Sequence, residues 1–291
     1  MRSATMNRAS VRSHAHCAGM HRASRRAVAV FCSRPAVAES KRAAAKAVVD
    51  RFVTNNSVIG LGPGELCNLV IEEVGTRLAM GKLEGVSGFP ACDVAAHEAA
   101  FHGLPLLPEA RATEVTLVLA EADALDPGAN AALLGCSGEP QQPDIPRLRS
   151  LLSKQGGAPL VLLTESSRVV KRLGGTLPVW LDADNWEESA EELDDIFLGD
   201  AELWRRSATG QQDNPRGGDN PYVSPQGHAI VDVRFYEGLK LFGEDEQYGK
   251  IADEIDNVVG VAAHGLVLGR AAAAVVVDGA DPKAAPQVIE F

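Results

Sequence analysis

The chain has 291 residues, of which 39 are Asp or Glu and 28 are Lys or Arg, giving a formal net charge of −11 at pH 7. That balance argues against a nucleic-acid surface, because neutralising a phosphate backbone needs clustered cations. No apolar run reaches the roughly 18 residues a membrane-spanning helix needs, so no span is expected.

The opening stretch differs from the rest. Met1 to Ala38 holds seven Arg and three His but no Asp or Glu, and the first acid is Glu39. An Arg-, Ser- and Ala-rich, acid-free leader has the composition of an organellar transit peptide. It predicts import into a chloroplast, with the mitochondrion as the alternative and a disordered basic tail as the plainer reading. It contains no apolar stretch suited to secretion. Residues 1–38 are therefore set apart, and 39–291 are read as one folded domain. Removing the seven Arg charges leaves about −18 on that domain.

Helical spacing of Ala, Val and Lys predicts a helix from Lys41 to Phe52. The apolar run Ser57–Gly62 reads as a buried strand ending in a Gly/Pro turn, followed by a helix over Glu65–Leu78. A strand at Glu84–Ser87 and a helix at Asp93–Phe101 repeat the unit. Glu114–Ala120 is the best strand candidate, β-branched and apolar before an acidic turn. Pro127 to Pro146 is rich in Gly, Pro, Gln and Ser and reads as an irregular loop. A helix at Arg147–Lys154 and a strand at Pro159–Thr164 follow.

Further on, the pattern predicts a strand at Leu177–Leu181, an acidic amphipathic helix at Trp186–Phe197, and a loop at Thr209–Gln226 too polar to pack. A strand at Ala229–Tyr236, a helix at Gln247–Ile255 and apolar runs at Val261–Leu268 and Ala273–Val277 complete the chain. Residues 229–268 read as a smaller inserted lobe. The alternation predicts an α/β fold, an open and mostly parallel sheet. Outside the leader, Cys67, Cys92 and Cys136 are isolated, without metal-ligand spacing, and read as buried reduced thiols; a redox pair is the alternative.

Several segments, in order, resemble one family. Lys41-Arg-Ala-Ala-Ala-Lys46 and Val58-Ile-Gly-Leu-Gly-Pro-Gly64 resemble the opening helix and glycine-rich phosphate loop of the type A ribose-5-phosphate isomerases. Gly103-Leu-Pro-Leu106, Glu165-Ser166, Leu173-Gly174, Leu177-Pro-Val179, Gly227–Val233 and Val258–Leu266 resemble further family segments. The resemblance covers about residues 40–278. It implies a Rossmann-like parallel sheet with a smaller α+β lobe, commonly a homodimer. It also implies conversion of ribose 5-phosphate to ribulose 5-phosphate through an enediol, with no metal or redox cofactor.

Enediol chemistry needs a carboxylate base, support for ring opening, donors for the developing oxyanion and a grip on phosphate. The family's phosphate loop reads here as Gly60-Leu-Gly-Pro-Gly-Glu-Leu66. Gly60, Gly62 and Gly64 match and are the candidate substrate-binding glycines. Pro63 and Leu66 replace hydroxyl residues, Pro63 donates no N–H, and Glu65 is placed to fill the anion pocket or simply to favour the helix dipole. The family's Asp-Gly-Ala-Asp-Glu turn reads Ala120-Glu-Ala-Asp-Ala124, keeping Asp123 as the candidate catalytic residue, with Glu121 a partial substitute aimed differently by strand alternation.

Counted without gaps from Asp123, the family's binding Lys falls on Leu133 and its general-base Glu on Gln142. Glu139 or Asp144 is a possible displaced base. The Lys after the family's Asp-Glu-Ser is Ser167, with Arg168 next to it as the candidate phosphate contact. Asp278-Gly-Ala-Asp281 repeats the turn's letters but reads as a surface turn. His97 and His102 are five apart, off the spacing of a helical metal pair, and His264 reads as structural. Gly60–Gly64 lacks the dinucleotide spacing. The expectation is an isomerase scaffold with activity weak or lost, with a sugar phosphate as a possible ligand and a homodimer or a heteromer with active isomerase as its assembly. The alternatives are a non-catalytic sugar-phosphate-binding regulator and a structural subunit of an organellar complex.

Overall fold

A computed structural model describes residues 39–136, 144–152, 157–209, 214–245, 247–278 and 284–291. The leader, Glu139, Gln142 and Asp281 lie outside the described residues.

Helix α1 (Glu39–Phe52) leads into strand β1 (Val58–Leu61), helix α2 (Glu65–Ala79), strand β2 (Ser87–Pro90) and helix α3 (Asp93–Phe101). A 3-10 turn (Glu109–Glu114) precedes β3 (Leu117–Glu121), which is followed by the short strands β4 (Ala124–Asp126) and β5 (Ala131–Leu133), helix α4 (Ile145–Leu152) and β6 (Leu160–Glu165). Then come β7 (Gly174–Asp182), α5 (Trp186–Ile196), β8 (Ala201–Arg205), β9 (His228–Gly238) and α6 (Tyr248–Asn257). Strands β10 (Val261–His264), β11 (Leu266–Leu268), β12 (Ala271–Val277) and β13 (Gln287–Glu290) end the chain.

Six strands form the central sheet in the order β13-β12-β6-β3-β1-β2. All neighbours are parallel except β13, which pairs antiparallel with β12. Both faces are covered, which is why these strands read as continuous apolar runs. Alternate residues of β6 divide between the faces. Val161 and Leu163 pack under α1, α2 and α3 with Val48, Val70 and Ala95, whereas Leu160 and Leu162 pack with Leu148 and Leu151 of α4.

A second sheet has four antiparallel strands in the order β10-β7-β9-β8. Leu193 of α5, Phe197 just after it, and Ile251 and Ile255 of α6 pack on Val179, Leu181, Val231 and Val233. Trp180 points the opposite way and joins the core of the central sheet. The sheet that contains residues 228–238 also takes in β7, which pairs with β9 from Gly174↔Gly238 to Asp182↔His228. A third sheet, β11-β5-β4, bridges the two.

Three local readings need correction. The strand expected at 84–87 is the turn that feeds β2: Glu84 exchanges hydrogen bonds with Asn55 and Asn56, and Gly85 has φ +69°. Pro90 is tolerated because β2 is an edge strand. The stretch read as a loop from Pro127 contains β5, because Asp126 Oδ1 accepts from Gly128 and Ala129 N–H and tightens Pro127–Asn130 into a hairpin turn. In the polar loop at 209–226, the described part does pack. Arg205 N–H donates to the Pro215 carbonyl, Tyr222 N–H donates to that of Arg206, and the Tyr222 ring lies against the central core.

His264 is fully buried, accepts a hydrogen bond from Leu266 N–H on Nδ1 and faces Asp256 at 3.3 Å. Burial lowers its pKa from 6.5, the Asp256 carboxylate offsetting part of the effect. The His264 hydrogen bond in turn lowers Asp256 to about 2. Below pH 6.5 the unfolded chain takes up a proton that buried His264 declines. Its contribution to stability is thus present above pH 6.5 and lost as pH falls towards the lower folded value. Urea midpoints at pH 7.5 and 5.5 should fall more for the native chain than for His264→Asn, which keeps an acceptor; equal falls would refute the assignment.

Candidate functional site

Strand order reverses around β1. The chain passes from β1 to β2 on one side, and then to β3 on the other. Open α/β sheets bind ligands at such a switch point, outside the carboxyl ends of the strands. Here the crevice is bounded by Gly62–Gly64 after β1 and by Glu121–Asp123 at the end of β3.

Gly62 N–H donates to Leu119 O at 2.9 Å, holding the loop against β3. A Cβ at Gly62 would collide with that carbonyl oxygen and reach Ala120 Cα at 3.0 Å. Gly64 has φ +122° and lies directly under the Glu121 side chain. Gly60 sits inside β1, where a Cβ would touch Leu151 and Val118 at 3.2 Å. Sheet packing and loop closure therefore explain all three glycines without a ligand.

Glu121 is the residue that the sequence reading placed least well. Its Oε2 accepts from Leu66 N–H at 2.8 Å, in the first turn of α2, and Arg168 Nη1 donates to its Oε1 at 3.0 Å. An exposed helix N-terminus offers unpaired N–H groups and a positive dipole end, the standard seat of a phosphate. In this chain a carboxylate of its own takes that seat. The anion-pocket role considered for Glu65 is corrected accordingly: its side chain is 57% exposed and pairs with Lys41 at 3.0 Å. The signal for Glu121 was present in the sequence, as an acid where the family turn has Gly.

Asp123 and Arg168 are brought together, with Oδ1 and Nη1 3.9 Å apart. Asp123 Oδ2 accepts from Cys136 N–H at 2.8 Å. Lys41 reaches across from α1 and bridges Glu165 at 2.7 Å and Glu65 at 3.0 Å. The crevice thus holds Lys41 and Arg168 against Glu65, Glu121, Asp123 and Glu165.

Burial raises the pKa of Glu121, an effect the Leu66 N–H and Arg168 only partly offset. Burial likewise raises Asp123, against the Cys136 N–H and Arg168. For Lys41 burial pulls downward, but the hydrogen bonds to Glu165 and Glu65 win and its pKa rises. The same Lys41 bond lowers Glu165.

The remaining candidates lie elsewhere. Asp144 Oδ1 caps α4 by accepting Arg147 N–H at 3.1 Å, and burial raises its pKa. Leu133, at the counted position of the binding Lys, is buried in β5. Ser167 is exposed in a 3-10 turn. Cys67, Cys92 and Cys136 are free thiols, all pushed up in pKa by burial. Among the described residues no group of three or more His, Cys, Asp or Glu is placed to hold a metal ion, and no helix is long and apolar enough to cross a membrane.

Residues 88–281 match the model of the family described as ribose 5-phosphate isomerase A (phosphoriboisomerase A). A ribose-5-phosphate isomerase A from Roseiflexus sp. (strain RS-1) is 32% identical over 228 residues, 78% of this chain and 87% of the relative. The probable ribose-5-phosphate isomerase 2 of Arabidopsis thaliana is 28% identical over 243 residues, 82% of this chain and 83% of the relative. Among solved structures, ribose 5-phosphate isomerase from Plasmodium falciparum superposes with a TM-score of 0.71 at 20% identity, covering 87% of this chain and 98% of its own, a likeness of fold. A family match over most of the domain, a relative above 30% identity and the switch-point crevice in its expected place agree: the chain belongs to the ribose 5-phosphate isomerase A family.

Proposed function

We propose that this chain keeps the isomerase scaffold without appreciable isomerase turnover. One observation carries the reading: the Glu121 carboxylate accepts the α2 N-terminal N–H of Leu66 and holds Arg168. A sugar phosphate entering the crevice would have to displace a buried carboxylate from its donors. It would also bring a dianion beside Asp123, Glu65 and Glu165. The same arrangement occupies Arg168, the cation best placed to receive phosphate. The Asp123 carboxylate, the retained catalytic candidate, is tied to Cys136 and sits beside that same guanidinium. A missing general base alone forfeits about 10²–10⁴-fold in rate.

The acid-free leader supports action in a chloroplast, within the sugar-phosphate metabolism of the pentose-phosphate or Calvin cycle. The assembly proposed is a homodimer or a heteromer with an active isomerase.

The test is turnover of ribose 5-phosphate by the purified chain. The expected result is none above background; turnover that Asp123→Ala abolishes would sink the reading. Glu121→Ala supplies a second arm. It should lower stability by about 1 kcal/mol, through loss of the helix cap. Inorganic phosphate should then raise the thermal midpoint of the variant but not of the native chain. Equal phosphate stabilisation of both proteins would show that Glu121 does not close the site.

A further inference from the structure

A second cleft, of about 290 Å³, lies between α5 and β8 in the smaller lobe, on elements that take no part in the switch-point crevice. Leu203, Val231, Ala190 and Pro215 supply apolar surface, and Trp186 and Arg205 line it as well.

Arg205 is the unusual group. It is only 8% exposed, and its guanidinium stacks on the Trp186 ring at 4.2 Å. Among the described residues no carboxylate forms an ion pair with it, and its buried Nε has no hydrogen-bond partner. Arg206, the next residue, shows the usual solution, a buried guanidinium on the Asp232 carboxylate. Removing a guanidinium from water without a counter-ion is costly, and stacking on one indole offsets only part of that cost. Glu187 is the carboxylate whose field reaches Arg205, but it stands on the exposed rim, where its contact is Arg216 at 3.9 Å. Among the described residues, a fork of donors thus faces a partly apolar cleft without a hydrogen-bonded carboxylate.

We propose that this cleft binds a small organic monocarboxylate carried on an apolar body, with the carboxylate on the Arg205 guanidinium. Planar donors match a carboxylate in two-point geometry. The apolar walls take the body of the ligand, and Trp186 holds the guanidinium in place. The rim acids Glu187, Glu191 and Asp194 repel further negative charge, which selects a monoanion over a phosphate dianion. This site is independent of the isomerase reading and stands or falls without it.

The experiment uses the full chain with three probes: 4-methylpentanoate, its primary amide and inorganic phosphate. The acid should raise the thermal midpoint and shift tryptophan fluorescence saturably at millimolar concentration, while the amide and phosphate should do neither. Arg205→Met should weaken binding of the acid roughly ten- to hundredfold without lowering the ligand-free midpoint, since an apolar isostere replaces an unpaired buried cation. Should Arg205→Met fold poorly, Ala190→Phe fills the cleft with Arg205 intact and should also abolish the response. Four results would each overturn the proposal: no response to the acid, an equal response to the amide or to phosphate, binding retained in Ala190→Phe, or a ligand-free midpoint that rises with protein concentration only while Arg205 is present, which would make a second copy the occupant.

Discussion

Asp232→Ala is expected to lower the unfolding free energy by roughly 3–5 kcal/mol, because it leaves a buried guanidinium without its counter-ion. Arg206 and Asp232 are 3% and 5% exposed. Arg206 Nε donates to both Asp232 carboxylate oxygens, at 3.0 and 2.9 Å, and Nη2 donates to Oδ1 at 2.7 Å. The same Nη2 also donates to the Gly135 carbonyl at 2.7 Å. That last bond ties the smaller lobe to the segment whose next residue, Cys136, donates to Asp123. Urea unfolding at pH 7 measures the loss. The double variant Arg206→Met/Asp232→Leu should recover most of it, since apolar pairs replace buried ion pairs well. A loss under about 1 kcal/mol for Asp232→Ala would mean that the pair behaves like a solvated one.

Gly62→Ala is the other change with a large expected effect. The new methyl group would collide with the Leu119 carbonyl, a backbone atom of the neighbouring strand with no freedom to step aside. Relief requires β1 and β3 to separate and the Gly62–Leu119 hydrogen bond to break. We expect a loss of about 3 kcal/mol or more, against nearer 1 kcal/mol for Gly60→Ala, whose new methyl group meets only side-chain atoms. Thermal unfolding of the two variants distinguishes the positions. Equal small losses would remove the steric explanation and return the glycine to ligand binding.

The central strands were legible because burial on both faces leaves an uninterrupted apolar run, as in Leu160–Thr164. The helices were legible from their spacing, with Asp93–Phe101 matching at both ends. What escaped depends on partners distant in the chain. Ala131–Leu133 is a strand only because β4 and β11 flank it, and its own residues follow a Pro-Gly turn. Ala201–Arg205 follows α5 after a short turn and carries mixed polarity, since α5 covers one of its faces and Arg234 stacks on Trp204. Gln287–Glu290, at the sheet edge, has little burial to mark it.

At the site, the replaced residues could be counted from the sequence, whereas the approach of Arg168 to Asp123 is seen only in the structure. Where the Glu121 side chain points could not be read, because its acceptor geometry depends on α2 starting beside the end of β3. Strand alternation does set its side: Glu121 shares the face of Leu117 and Leu119, towards α2, and away from Ala120 and Ala122.

The seat taken by Glu121 has an evolutionary corollary. Its carboxylate is at once the proposed plug of the anion site, the cap of α2 and the counter-ion of Arg168. Replacing it with glycine would leave the Leu66 N–H without its acceptor and Arg168 with only the more distant Asp123 and Ala122 oxygens. A change from this acid to glycine is therefore a step downhill in stability, and that cost acts as a ratchet.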